Sequence, residues 1–240
     1  MFYMLLSLSL AIAPSLAFAV FIFWRDKFDR EPIHLLIGCF FFGALSCIPA
    51  AAMEVFLDNR IQPARFGLGG LFLSAVVFVA LIEEGWKFLF THFFAYRKNA
   101  FNEPYDGITY AVMVSLGFAT LENIIYVLEG GVELALYRMV TAVPAHVTFG
   151  VIMGYFMGLA KFRNHSFWLK AAGLGGAVLL HGLYDFALFS TEQIPMMIGG
   201  AVLSLVLGVV LSLRAIHLHR KNSPFNPNGK NYHGESGQSG

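Results

Sequence analysis

Four apolar stretches of this sequence contain ionisable residues whose types and spacing suit chemistry. The first, VALIEEGWKFLF from Val79 to Phe90, sets adjacent carboxylates, Glu83 and Glu84, before the ammonium of Lys87. On a helix Lys87 is four residues from Glu83 and three from Glu84, so it can lean toward either and keep it partly ionised. The second, FATLEN, puts Glu122 on the face of Phe118 with the amide of Asn123 beside it. The third carries His146, which begins a ladder with Gly150, Gly154 and Gly158, a small-residue stripe that lets another helix approach on the histidine's own face. The fourth pairs His181 with Asp185 at i and i+4, an imidazole with a carboxylate able to fix its tautomer.

A lone histidine or a single ion pair in such a segment is ordinarily a packing device. Two histidines and at least three carboxylates across four apolar segments are another matter, because each costs a few kcal/mol at bilayer depth. The set is sufficient for hydrolysis by an activated water. One glutamate would act as general base, a histidine or second glutamate as acid, and Asn123 or a histidine as oxyanion donor. A metal version is equally constructible, with His146, His181 and Glu122 (or Asp185) holding an ion such as zinc and Glu83 acting on its water. No HExxH motif is present, and no Ser or Cys nucleophile stands beside a histidine. A proton-relay transporter would use similar groups, but no inverted copy of either motif appears elsewhere in the chain.

The elements that must position these residues are membrane helices. Hydrophobic residues make up 57% of the 240, charged residues 13%, and mean hydropathy is +0.65, which excludes an ordinary soluble domain. The expected fold is all-α, a polytopic bundle of about seven spans: residues 1–24, 33–57, 71–94, 108–128, 138–160, 167–190 and 195–217. The first is expected to be retained rather than cleaved, since no basic region precedes it. Residues 1–218 then form one membrane domain with its motif core at 71–189, and 219–240 form a polar, disordered tail. Twelve Lys and Arg flank one side of these spans and three the other, which predicts an outside N-terminus and a cytoplasmic C-terminus. Asp106, after Pro104 in the loop before span four, is a candidate helix cap, and Cys39 and Cys47 are expected to be core residues rather than a disulfide. The bilayer is the implied environment, and nothing points to nucleic acid.

In order along the chain, EEGWK at 83–87, FATLEN at 118–123, PAHVTFG at 144–150 and HGLYD at 181–185 resemble the motifs of the PrsW family of intramembrane proteases. That family is distantly related to the CAAX-prenyl endopeptidase and bacteriocin-processing superfamily. The resemblance implies a glutamate-dependent endopeptidase of the bacterial inner membrane. It would make the first, outer-side cut in a single-span membrane protein, an anti-sigma factor. It also implies that Glu83 and Glu84 are the essential acidic pair and His181 the essential histidine, with Glu122, His146 and Asp185 as further motif positions. Lys87 replaces the superfamily's arginine one position later, and Glu122 stands where its FxxxH motif has histidine, so the prenyl-protease mechanism does not transfer. A rival is a non-catalytic scaffold like the fold-related subunit of gamma-secretase, which needs no paired base and acid. With about 100° between adjacent residues, Glu83 and Glu84 are expected to face different groups. Glu83 would face the water, and Glu84 would hold Lys87 or a neighbouring helix.

Overall fold

A computed structural model describes residues 2–227. Seven helical segments are long and apolar enough to cross a membrane, and no strand occurs among the described residues. The first two spans are single helices, α1 (Phe2–Arg25) and α2 (Ile33–Ile61), joined by the charged loop that ends at Pro32. The third, Pro63–Ala95, begins eight residues before the expected Leu71. Pro63 starts a short 3-10 turn and the glycines after it continue as a helix, α3 (Gly67–Leu73), where their composition had suggested a loop. A π-helix, Ser74–Ala80, then leads into α4 (Leu81–Phe90), and a second π-helix, Thr91–Ala95, follows it. The glutamate pair therefore sits on one α-helical segment held between two wider coils, an arrangement that recurs at functional sites.

The fourth and fifth spans come from α5 (Pro104–Val140) and α6 (Ala142–Phe162). Gly131 interrupts α5 with φ 67°, ψ −156°, a conformation glycine adopts at little cost. The chain turns back there, and residues 132–140 run alongside the upper part of the same helix. Two long helices, α7 (Ser166–Phe189) and α8 (Met197–Lys221), complete the bundle. The first half of α5 is its axis: Tyr105, Ile108, Tyr110, Leu116 and Phe118 are all fully buried. Lipid is as apolar as these side chains, so close backbone contact rather than exclusion of water holds such helices together. The glycine ladder of α6 meets that need. A Cβ on Gly154 would stand 2.3 Å from the Gly107 carbonyl oxygen, so α5 and α6 touch along the stripe below His146.

The loops carrying most of the basic residues meet at one end of the bundle. Lys161 Nζ donates to the carbonyls of Tyr96 (2.7 Å) and Lys98 (3.0 Å), and the Asn102 side-chain amide donates to Asp29 (2.7 Å). Here α5 begins with a reciprocal capping box in which Glu103, not Asp106, is the N-cap. Asp106 stands at the third position and accepts from the backbone of Glu103 at 2.7 Å. Glu31 accepts from the Tyr110 hydroxyl, and Asp26 is buried beside it. Burial, reinforced by neighbouring acids, raises the carboxyls of Asp26 and Glu103 to about 7. Cys39 and Cys47 are buried free thiols. The polar tail expected from His219 starts later: α8 continues to Lys221, His219 and Ser223 are buried, and the Asn226 amide donates to the carbonyls of Arg220 and Lys221. The remainder of the expected disordered tail, 228–240, lies outside the described residues.

Candidate functional site

The site is built outward from Lys87. Its ammonium, buried at 1% exposure, lies 3.0 Å from Glu83 Oε2, 2.8 Å from Glu84 Oε1 and 3.0 Å from Nδ1 of His146, and sits over the Phe118 ring, 4.0 Å from the centroid. Contrary to expectation, both glutamates face the same group. Lys87 is four residues after one and three after the other, so its long side chain ends between their two azimuths. An ammonium donates only, which makes His146 Nδ1 an acceptor and puts that ring's proton on Nε2, 2.8 Å from Glu122 Oε2.

His181 is held from both sides. Its Nδ1 lies 3.0 Å from Glu84 Oε1 and its Nε2 lies 3.1 Å from Asp185 Oδ2, while Phe149 stacks on the ring with centroids 4.6 Å apart. Two carboxylates can both accept only if both ring nitrogens carry protons or one carboxyl does. The two histidines meet edge to face at 5.5 Å, so the elements carrying EEGWK, FATLEN, His146 and HGLYD converge on one place.

Two participants escaped sequence reasoning. Arg138 pairs with Glu122 through Nη2 at 2.8 Å and donates from Nε to the Asn123 side-chain oxygen at 2.7 Å, bridging fifteen residues across the Gly131 turn. It had stood only as the edge of a span, and its signal was a single arginine between spans four and five, on the side that carries three cations against twelve. Glu54 of α2 lines the same cavity. That cavity, about 210 Å³, is bounded by Glu54, Glu83, Glu122, Arg138, His146, His181 and Asp185, with Tyr126, Tyr137 and Tyr184 completing its wall. Glu84, Lys87 and Asn123 do not line it; they stand behind it, Glu84 with no exposure at all. The cavity lies toward the end of the bundle away from the basic loops, since Thr141, Leu188 and Phe189 also border it.

Part of the donor set has the spacing of a metal site. Glu83, Glu84 and His146 each offer an atom within 4.8 Å of the others, and of the expected ligands Glu122, His146 and His181 this group contains His146. Two carboxylates and an imidazole fit a divalent ion chemically. Four carboxylates line the cavity and Glu84 stands behind it, against two permanent cations, Lys87 and Arg138, an excess of acid that a low-dielectric site must offset by protonation or by a bound cation. Lys87 Nζ lies within hydrogen-bond distance of all three.

Fold and site together define a multi-pass membrane protein with a buried acid–histidine centre suited to hydrolysis. The chain belongs to the PrsW family of intramembrane metalloproteases, whose sequence model matches residues 31–214. It is 39% identical over 191 residues to Protease PrsW of Geobacillus kaustophilus, covering 78% of this chain and 81% of the relative. To Protease PrsW of Bacillus subtilis it is 37% identical over 183 residues (75% and 82%), and to that of Clostridioides difficile 34% over 190 (75% and 77%). These matches favour neither the scaffold nor the transporter reading. No solved structure gives a significant match.

Proposed function

We propose that the chain is an endopeptidase in which Glu83 activates a water to attack a peptide bond of a single-span membrane protein, an anti-sigma factor in a bacterial inner membrane. The observation that carries the proposal is the division of the acidic pair: Glu83 borders the cavity while Glu84 is enclosed behind it. In this mechanism Glu83 takes the water's proton. Glu84 and Lys87 hold it in place, and His181, steadied by Asp185, gives a proton to the leaving amine. Arg138 offers positive charge to the oxyanion, and Asn123 acts by orienting Arg138 rather than as the oxyanion donor expected from sequence. His146 ties the pair on α4 to Glu122.

The residues present also fit a divalent ion such as zinc, which Glu83, Glu84 and His146 would hold once Lys87 withdraws. When bound, such an ion supplies a water of lowered pKa and polarises the scissile carbonyl. The distribution of Lys and Arg supports a cytoplasmic basic end, so that the cavity opens in the outer half of the membrane.

The test is reconstitution of the purified chain with a single-span anti-sigma factor and mass analysis of the products. The proposal expects one cut near the outer membrane face, lost in Glu83→Gln and in His181→Ala. Cleavage by both variants at the parental rate would overturn it. Metal content of the active protein, with activity after chelation, decides whether an ion takes part.

A further inference from the structure

Away from the cavity, the surface between α6, α7 and α8 carries an unassigned binding feature. A groove of about 880 Å³ is walled by Leu179 and Leu183 of α7, Ile152 of α6 and Leu207 and Leu211 of α8, and it ends at Arg214 and His217. It continues, through Tyr155 and Leu218 which line both, into a second cavity of about 360 Å³ at the basic end. That cavity is bounded by His219, Arg163, Asn102 and Asn222 over apolar walls. Helix geometry makes the two continuous: Leu211, Arg214, Leu218 and Asn222 form one stripe of α8 facing a matching stripe of α6, Ile152, Tyr155, Leu159 and Phe162.

Two observations identify the occupant. From Leu207 to Leu218 the groove runs roughly 16 Å at 1.5 Å per residue, about half of a 30 Å hydrocarbon core, which is the depth of one leaflet. Its polar end is cationic, and Arg214 and His217 make no hydrogen bond or ion pair among the described residues. His219, 3% exposed, packs its ring on Tyr155 and reaches the Pro104 backbone, closing the inner wall of the second cavity.

We propose that this face binds one anionic phospholipid, with an acyl chain in the leucine groove and its phosphate at Arg214 and His217. Basic pockets between membrane helices recognise lipid headgroups in this way. The lipid would wedge α8 against α6 and α7 on the face opposite the site's opening, and the inference is independent of the proteolytic mechanism.

The test uses the full-length protein purified in neutral detergent, with phosphatidylglycerol, phosphatidylcholine or inorganic phosphate added. Retained lipid is read by native mass spectrometry and stability by thermal unfolding. Phosphatidylglycerol should be retained about fivefold over phosphatidylcholine, the preference one well-placed arginine gives. Phosphate alone should neither displace it nor raise the unfolding midpoint. The Arg214→Gln/His217→Gln variant, altered only at exposed positions, should retain the two lipids equally. Leu183→Trp, which fills the groove, should lower retention of both. Equal retention of the two lipids by the parent protein, an undiminished preference in the double variant, or full stabilisation by phosphate would each overturn the proposal. So would a Leu183→Trp protein that keeps its lipid but cleaves substrate poorly, because the groove would then be a seat for the substrate's helix.

Discussion

Neutralising one glutamate of the pair at a time separates chemistry from support. Glu83 accepts one charge-assisted hydrogen bond, from Lys87, whereas Glu84 meets two donors, Lys87 and His181. Each such bond contributes about 1.5–3 kcal/mol, and a glutamine oxygen in the same place keeps roughly half. Glu83→Gln should therefore cost about 1 kcal/mol and Glu84→Gln about 2 kcal/mol. At about 2–4 °C per kcal/mol for a chain of this size, the unfolding midpoint should fall about 2–4 °C in the first and about 4–8 °C in the second. Activity should rank the other way. Loss of a general base costs about 10²–10⁴ in rate, so Glu83→Gln should lose at least about 100-fold while remaining the better folded of the two. The assay is thermal unfolding in detergent beside initial cleavage rates of a single-span substrate. A Glu83→Gln protein that cleaves within a few-fold of the parent, or is less stable than Glu84→Gln, would refute the division of labour.

Arg138→Gln should leave Glu122 buried without its guanidinium and destabilise the protein by about 3–5 kcal/mol, seen as a lower unfolding midpoint together with reduced cleavage. Gly154→Val should force α5 and α6 apart and cost about 1–3 kcal/mol, whereas Gly85→Ala, which meets open space, should be neutral or raise stability by up to about 1 kcal/mol; paired unfolding curves check both. Asp26 and Glu103, raised to about 7 in the fold, bind protons more tightly there than in the unfolded chain. Their contribution is present in full below about pH 4 and is lost as pH rises toward and through 7. Unfolding midpoints measured from pH 5 to 8 should decline from this source, and Asp26→Asn should flatten the decline.

Charged residues in apolar runs were conspicuous in the sequence because they are costly there. Their ordered spacing made Glu83, Glu84, Glu122, His146, His181 and Asp185 visible as a set, and the structure brings them together. Arg138 was not visible, because its partner lies across a turn created by the backbone of one glycine, and as the first residue of a span it read as a boundary charge. The shared grip on Lys87 was misjudged from the 100° between adjacent residues, which describes where side chains leave a helix and not where a long, flexible lysine side chain ends. Asn123 looked like a donor to substrate and instead faces Arg138. The π-helical turns around α4 have no compositional mark, and the early start at Pro63 was hidden by residues that read equally well as a loop.

The internal salt of α4 also bears on how the chain enters the membrane at all. An isolated charge at the centre of a helix adds about 2.5–3.5 kcal/mol to insertion. Lys87 is in reach of Glu83 and Glu84 within the same helix, so the third span carries its own counter-ion as it leaves the translocon, before the histidines of the later spans have arrived. Glu122 has no such provision. Its arginine lies beyond Gly131, on the segment synthesised next. The fourth span is thus completed electrically only by the fifth, and the two are suited to enter the bilayer as a hairpin, with Gly131 as its bend.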